Sequence, residues 1–352
     1  MRVELLAALG PHADAWDALV DGMPLPSPFL RSWWLSTAAG AAPHLALVFA
    51  GERLVGGLAL ECDRHLGVER YRVLGCGRLC PDHLDAVAAP DRPGAVASAL
   101  RDWLGRSGDR LIDLDGVVSG SMMAAALPGR VRRDRTDVAP YVSLSGGFLA
   151  SGSAKLRSTV NRTERRLGKV AGSLVVRRVE DTELALGLLR RLHALRWAGA
   201  SAFLDDFDRF GAVCRAAALR GELAICALFA GEEAIAVVAA FEVAGRISYY
   251  QSGRDPAPRW RRSGTLLLAR SIDGAAERGL READLLRGDE QYKLELTSER
   301  RQLWRLRCTT GPRSTLALGI DVAAEHGRHL LGRTRRWLRT NLPSRRPPAP
   351  QP

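Results

Sequence analysis

Residues 246–293 read RISYYQSGRDPAPRWRRSGTLLLARSIDGAAERGLREADLLRGDEQYK, and the order of elements in this stretch decides the fold. Arg246 to Gly253 is a β-branched and aromatic run ending on glycine, the pattern of a strand. A Pro- and Arg-rich turn follows at 254–262. Ser263 then stands where an N-cap belongs, ahead of Gly264, Thr265 and the apolar run Leu266, Leu267, Leu268 of a helix predicted over 264–278. Strand, arginine-bearing loop, small residues and helix aim free backbone N–H groups and a helix dipole at an anion. Arg261 and Arg262 add charge-assisted donors for phosphate. The same order also serves as an ordinary structural strand–helix turn.

Just upstream, residues 226–240 read CALFAGEEAIAVVAA, and residues 46–60 read ALVFAGERLVGGLAL. Each is an apolar run, a tight Phe-Ala-Gly-Glu turn and a second apolar run, which predicts a hairpin. The two turns lie 180 residues apart, about half the chain, and suggest a duplicated module. In the first half the pattern predicts a helix near 12–20, strands over 44–50, 54–61 and 71–75, an apolar run at 83–89, an amphipathic segment at 93–105 and a strand at 111–114. In the second half it predicts a helix ending near Trp197, another over 205–219, and strands over 222–230, 233–243, 246–252, 283–287 and 302–308. Each half mixes a hairpin-rich sheet with helices, so the fold class is α/β (α+β), with mostly antiparallel sheets flanked by helices. The expected division is 1–150, a bridging helix at 151–172, 173–312, and a basic helical tail at 313–352.

The chain has 352 residues, enough for about two domains at roughly 150 residues each. Its 46% apolar and 26% charged residues exclude a disordered, collagenous or membrane-bundle protein. The net charge of +12 is confined to two places. Residues 154–170 carry +5, from Lys155, Arg157, Arg162, Arg165, Arg166 and Lys169 against Glu164, and 328–346 carry +7 in arginines alone. A protein that reads nucleic acid through its main fold is basic over a broad face, whereas this body is neutral. Over 154–170, Leu156, Val160 and Leu167 form a narrow stripe opposite Lys155, Arg162, Arg165, Arg166 and Lys169. This predicts a bridging helix with a basic outer face, either solvated or offered to an anionic partner. The 328–346 cluster is expected to meet an acidic surface such as a membrane, and the Pro-rich 341–352 to be disordered. Six cysteines make no disulfide framework in so long a chain, and no apolar stretch reaches a spanning length. A signal peptide is not expected, since Glu4 interrupts a very short apolar run, and the expected location is cytoplasmic, peripheral to a membrane at most. Cys62, His65, Cys76, Cys80 and His83 are too irregularly spaced for a zinc site, so no metal is expected.

With these residues in view, the second half resembles a GNAT-superfamily acyltransferase of the CelD-like branch associated with cellulose and polysaccharide biosynthesis. The matching pieces are Leu192-His193-x-x-Arg196-Trp197, the hairpin at 222–243, Ser263-Gly264, and Asp284-Leu-Leu-Arg-Gly288-Asp289-Glu290-Gln-Tyr292-Lys293. The first half matches in Ser27-Pro28-Phe29, Trp33, Trp34 and Asp82-His83-Leu84-Asp85, so coverage runs from about 25 to 308. Tandem GNAT-like modules are also similar to FemAB-type transferases, which take aminoacyl groups from tRNA. That similarity supplies an alternative donor, and nucleic acid is not expected as a partner unless tRNA is that donor. The superfamily's pyrophosphate loop, Arg/Gln-x-x-Gly-x-Gly/Ala, is kept here in Arg261 and Gly264 and ends in Leu266.

The resemblance implies direct attack of an amine on an acyl-CoA thioester, acetyl-CoA or another, with no metal. The acceptor would be an amino sugar or a cell-envelope precursor. Donor phosphates would sit on Arg261, Arg262, Ser263, Gly264 and Thr265, and pantetheine along the strand edge at Tyr250, Ser252 and Gly253. The first half, lacking an Arg- and Gly-bearing strand–helix loop, is expected to bind no donor. Asp289 and Glu290 are the nearest carboxylates for a general base, or equally N-caps of a short helix over 290–296. Tyr292 would protonate the leaving thiolate, or pack. Lys293, one of three lysines in the chain, would act as a point charge near the reacting carbonyl, or pair with Asp289 or Glu290. On the helix ending at Trp197, the expected core stripe is Leu184, Leu188, Leu192 and Leu195. His193, Arg196 and Trp197 fall outside its centre as acceptor-binding candidates, with a structural histidine as the alternative. A non-enzymatic module that binds acidic polymers or membranes is the reading from a different class.

Overall fold

The structure, a computed structural model, describes residues 1–38, 42–77, 79–106, 108–197 and 201–341, and side chains as far as 327. The first half runs β1 (Arg2–Leu6), α1 (Ala13–Asp21), α2 (Ser32–Thr37), β2 (Ala42–Ala50), β3 (Arg53–His65), β4 (Val68–Val73), β5 (Val87–Ala88), α3 (Pro93–Gly105), β6 (Arg110–Val118), α4 (Met123–Ala126) and β7 (Arg132–Ser143). Helices α5 (Phe148–Ser151) and α6 (Ala154–Ala171) lead across to the second half. There follow β8 (Leu174–Arg178), α7 (Thr182–Trp197), α8 (Ala202–Asp205), α9 (Phe207–Leu219), β9 (Leu223–Ala230), β10 (Glu233–Val243) and β11 (Arg246–Arg254). Last come α10 (Ser263–Glu277), β12 (Glu282–Asp284), α11 (Gln291–Leu294), β13 (Arg300–Thr309) and α12 (Pro312–Asn341).

All thirteen strands share one mixed, mostly antiparallel sheet in the order β1-β2-β3-β4-β6-β13-β7-β12-β11-β10-β9-β8, with β5 paired to β3. Read from either edge inward, the two halves present the same succession, down to one parallel pair each, β4 with β6 and β11 with β12. The sixth strand of each half is exchanged. β13 completes the first half's sheet beside β6, and β7 completes the second's beside β12. The segments 1–150 and 173–312 are therefore successive in the chain and interleaved in space.

The repeat extends to backbone detail. In the β2–β3 hairpin the register slips by one residue at Val55, and in β9–β10 it slips at Ile235, again 180 residues on. Gly51 and Gly231 turn the two hairpins with φ of +62° and +60°, a region glycine enters without Cβ strain. The apolar run at 83–89 forms only the two-residue β5 and a bridge from Leu84 to Val117.

Two cores lie on opposite faces of the second half's sheet. One packs α7 and α9 with the first half's helices, through Leu189, Leu192 and Phe210. The other packs α10 and α6, through Leu266, Leu267, Ile272, Val160 and Leu167. The stripe expected on α7 is rotated: Ala185, Leu186, Leu189, Leu192 and His193 are buried, while Leu184 and Leu195 are exposed. Helix α6 forms as expected, with its six cations outward. The Arg side chains of 328–346 and the Pro-rich end at 342–352 lie outside the described residues. Among the described residues no helix is long and apolar enough to cross a membrane.

Candidate active site

The parallel pairing of β11 with β12 stops after Ser248↔Asp284. Beyond it the chain after β12 stays with β7, as Leu285 N–H donates to the Pro140 carbonyl (2.9 Å) and Gly288 N–H to that of Val138 (2.9 Å). Tyr250 is a bulge residue against β10, which re-aims the strand at the same place. The two strands part, and a cavity of about 740 Å³ opens between them. Its walls come from both cores: Val238, Tyr249, Leu268 and Leu285 from the α10 side, and Leu79, Phe203, Tyr250 and Leu286 from the α7 side. The cavity therefore lies between the parted strands and is walled from both faces of the sheet; its two ends are called the α10 mouth and the α7 mouth.

At the α10 mouth stand Arg254, Arg261, Arg262, Gly264 and Thr265. The first amides of α10 have no acceptor within the helix. Arg254 lies across them, its Cδ 3.5 Å from where a Cβ on Gly264 would be. Ser263 is not the N-cap. That position belongs to Arg262, which adopts φ of +68°, and Ser263 is the first helical residue with a buried, unpartnered Oγ outside the cavity lining. Leu266, where the resemblance expects a small residue, is buried in the core under α10 and leaves the mouth unobstructed.

At the α7 mouth stand His193, Arg196, Trp197, Ser201 and Phe203, faced by Leu79, Cys80 and Asp82 of the first half. His193 is buried. Its Nδ1 faces the Ser252 carbonyl at 3.1 Å and its Nε2 faces Ser201 Oγ at 2.8 Å. A carbonyl can only accept, so the proton sits on Nδ1. Burial holds the pKa below the usual histidine value, and the ring is a neutral structural link between α7 and β11. Gly253 is likewise explained by packing: a Cβ there would sit 2.4 Å from the His193 backbone nitrogen. Arg196 donates to Ser252 Oγ at 3.0 Å, and its guanidinium lies 5.1 Å from the centre of the Trp197 ring. The Tyr250 ring stacks on Phe210 and its hydroxyl donates to the Leu79 carbonyl, tying the halves together.

Among the proposed catalytic groups, Glu290, Tyr292 and Lys293 line the cavity, whereas Asp289 is exposed outside it. Lys293 is buried. Its Nζ donates to the carbonyls of Leu286 (3.3 Å), Arg287 (2.6 Å) and Gly288 (3.5 Å) and pairs with Glu290 at 2.9 Å. Its ammonium is thus committed to the wall of the cavity rather than free beside it. Burial and the nearby Glu290 push the Tyr292 phenol up to about 12, so it keeps its proton at neutral pH.

Six cations line the cavity, Arg196, Arg254, Arg261, Arg262, Arg287 and Lys293, against two carboxylates, Asp82 and Glu290. Arg262 is spent on Glu295, Arg287 on Asp82 and Asp115, and Lys293 on Glu290. Among the described residues no carboxylate lies within ion-pairing distance of Arg196, Arg254 or Arg261. A cavity with three uncompensated guanidiniums suits a ligand with several negative charges.

Sequence reasoning missed Arg254, Arg287 and the loop at 79–82. Arg254 was legible, eight residues before the helix N-terminus in the same arginine-bearing turn. Asp82 was noticed only as part of a match. Its role depends on Arg287, 205 residues on, whose backbone N–H (2.8 Å) and Nε (2.6 Å) it accepts. Among the described residues no three His, Cys, Asp or Glu side chains are grouped to hold a metal.

Residues 154–294 match the family model described as acetyltransferase (GNAT) domain. No curated protein matches the chain in sequence. Among solved structures, FemX is similar with a TM-score of 0.66 at 10% identity, over 91% of this chain and 100% of its own. A conserved protein of unknown function from Bacteroides thetaiotaomicron VPI-5482 has a TM-score of 0.61 at 12% identity, over 88% and 100%. The C-terminal domain (DUF2156) assigned to a lysylphosphatidylglycerol synthetase of Agrobacterium fabrum has a TM-score of 0.57 at 12% identity, over 90% and 97%. The fold is thus α/β and GNAT-like.

Proposed function

We propose that this chain is an acyltransferase that moves an acyl group from an acyl-CoA, acetyl-CoA being the simplest, to the nitrogen of an amine. One observation carries the reading: the α10 amides, Arg254 and Arg261 without carboxylate partners, and the unpaired edge of β11 all meet at one mouth of a cavity. The amides and guanidiniums fit phosphates, and the strand edge offers N–H and C=O groups to the amides of a pantetheine arm. A bound acyl-CoA would supply the thioester carbonyl that the amine attacks; the C–N bond forms and the C–S bond breaks. Glu290 is the carboxylate placed to take the amine's proton, directly or through water, and Tyr292 the group placed to protonate the departing sulfur. Asp289 has no part, and Lys293 holds the wall that both depend on. The acceptor class, an amino sugar or envelope precursor, rests on the CelD-like resemblance. The first half binds no donor, because its own loop fills the equivalent cleft.

Calorimetry with CoA, and release of free thiol from acetyl-CoA in the presence of amines, test this reading. Absence of CoA binding by the full chain overturns the donor assignment. One observation favours a second reading, a donor carried on tRNA. The exposed cations of α6 adjoin the same mouth, where Arg166 donates to the carbonyls of Arg259 (3.1 Å) and Arg261. Loss of activity on adding ribonuclease selects that donor.

A further inference from the structure

The two mouths of the cavity differ in what they ask of a ligand. The α10 mouth has helix amides and two unpaired guanidiniums, a place for phosphates. The α7 mouth, at the other end, is built from α7, α8 and residues 79–82 of the first half. Of the cations near it, Arg287 is neutralised by Asp82 and Asp115 and Lys293 by Glu290. Arg196 is left with one hydroxyl, Ser252 Oγ at 3.0 Å, and the face of Trp197. Neither contact carries negative charge, and among the described residues the other N–H donors of the guanidinium meet no protein acceptor. Burial presses on its charged form and Arg254 adds repulsion, while the carboxylate that acts the other way, Glu290, is already paired with Lys293. A partly buried guanidinium without a counterion is costly, and a ligand anion removes that cost.

We propose that the acceptor is an amine that carries its own anionic group, a carboxylate or a phosphate, and that Arg196 binds that anion at the α7 mouth. The word acceptor rests on the acyltransferase reading; the anion site itself does not. Arg196 acts here as a specificity-determining residue. Ser252 and Trp197 set the direction of its guanidinium, and the amine of the ligand is left to reach the Glu290 and Tyr292 side of the cavity.

Three probes share one amine and differ in charge: glucosamine, glucosamine 6-phosphate and muramic acid, the last bearing a carboxylate. Binding of each to the full chain is measured by calorimetry without donor, and thiol release is measured with acetyl-CoA. At least one anionic probe is expected to bind at least about tenfold more tightly than glucosamine, and which one does so identifies the anion. Arg196→Gln should erase that preference by raising the KM of the anionic probe while leaving the KM for acetyl-CoA unchanged. Arg196→Lys should restore part of it. Equal binding of all three probes, binding of none, or an equal loss for all three in Arg196→Gln overturns the proposal. If Arg196-dependent binding is found but no thiol is released, the anion site stands and the acyltransferase reading falls.

Discussion

The two halves repeat one succession of strands and helices, yet among the described residues the gap where the strands part is open in the second half and filled in the first. In the second half the connection from β11 to α10 is the short turn 255–262, and the edge of β11 past Ser248 has no strand beside it. In the first half the corresponding connection, 74–92, is far longer, and its residues 84–88 fold back into their own half's cleft. Leu84 N–H donates to the Gly116 carbonyl at 3.0 Å, and Val87 and Ala88 pair with Gly57 and Gly56 of β3. The same loop then reaches the other half's cavity, where Leu79 and Asp82 become its wall. The segment that packs into the first half's cleft thus also walls the second half's cavity.

Four measurements break or sharpen that comparison. The largest effect should come from Arg254→Ala combined with Arg261→Ala. Two charge-assisted contacts at roughly 1.5–3 kcal/mol each predict a loss of CoA affinity of about 100-fold or more. Arg92→Ala, at the N-cap of α3 where the first half would have its equivalent, should leave CoA binding unchanged. Calorimetry of the wild-type chain should give one CoA per chain; two would mean the first half is open after all. Next, Asp82→Asn should cost about 3 kcal/mol of stability, because it leaves the Arg287 guanidinium short of its buried partner. Chemical denaturation reads this loss, and an unchanged midpoint would show that the loop does not clamp the halves.

A smaller effect concerns pH. His193 is held neutral by burial, so between its lowered folded pKa and the ordinary value of 6.5 the unfolded chain binds more protons than the folded one. Stability should therefore fall as pH drops below about 6.5, and His193→Gln should flatten that fall, which melting curves from pH 7.5 to 5 would reveal. His83, buried between the halves against Asp284, adds to the fall in both proteins. The smallest effect tests the repeat itself. Gly51→Ala and Gly231→Ala each force a Cβ into the left-handed region with open space around it, so each should cost about 1 kcal/mol. Unequal costs would mean the hairpins are less alike than their backbones.

Much of both halves could be read from residues because these elements are apolar and local. The hairpins at 46–60 and 226–240, helix α10, and the amphipathic α6 all declare themselves through periodicity within a dozen residues or so. Strand β7 did not. Its residues Arg132, Arg133, Asp134, Arg135 and Asp137 look like a solvated loop, and its place at the centre of the sheet depends on partners far along the chain, as in the pair Arg307–Asp134 at 2.8 Å. The rotation of the α7 stripe has the same origin: which leucines are buried depends on where β11 meets the helix, at Gly253.

By itself the sequence determined a duplicated α/β chain, an arginine-bearing turn before α10, and a cluster around 288–293 rich in candidate acids and bases. Local patterning suffices for these, because each is set by neighbours within a strand, a turn or a helix. The tertiary structure alone decided that the halves exchange their sixth strands and that 79–82 walls a site built by the other half. It also decided that Lys293 is spent on three carbonyls and that Arg196, Arg254 and Arg261 are left without counterions. Charge compensation is a property of the folded surroundings: the same guanidinium is neutral wall or free anion site according to which carboxylate the sheet brings beside it.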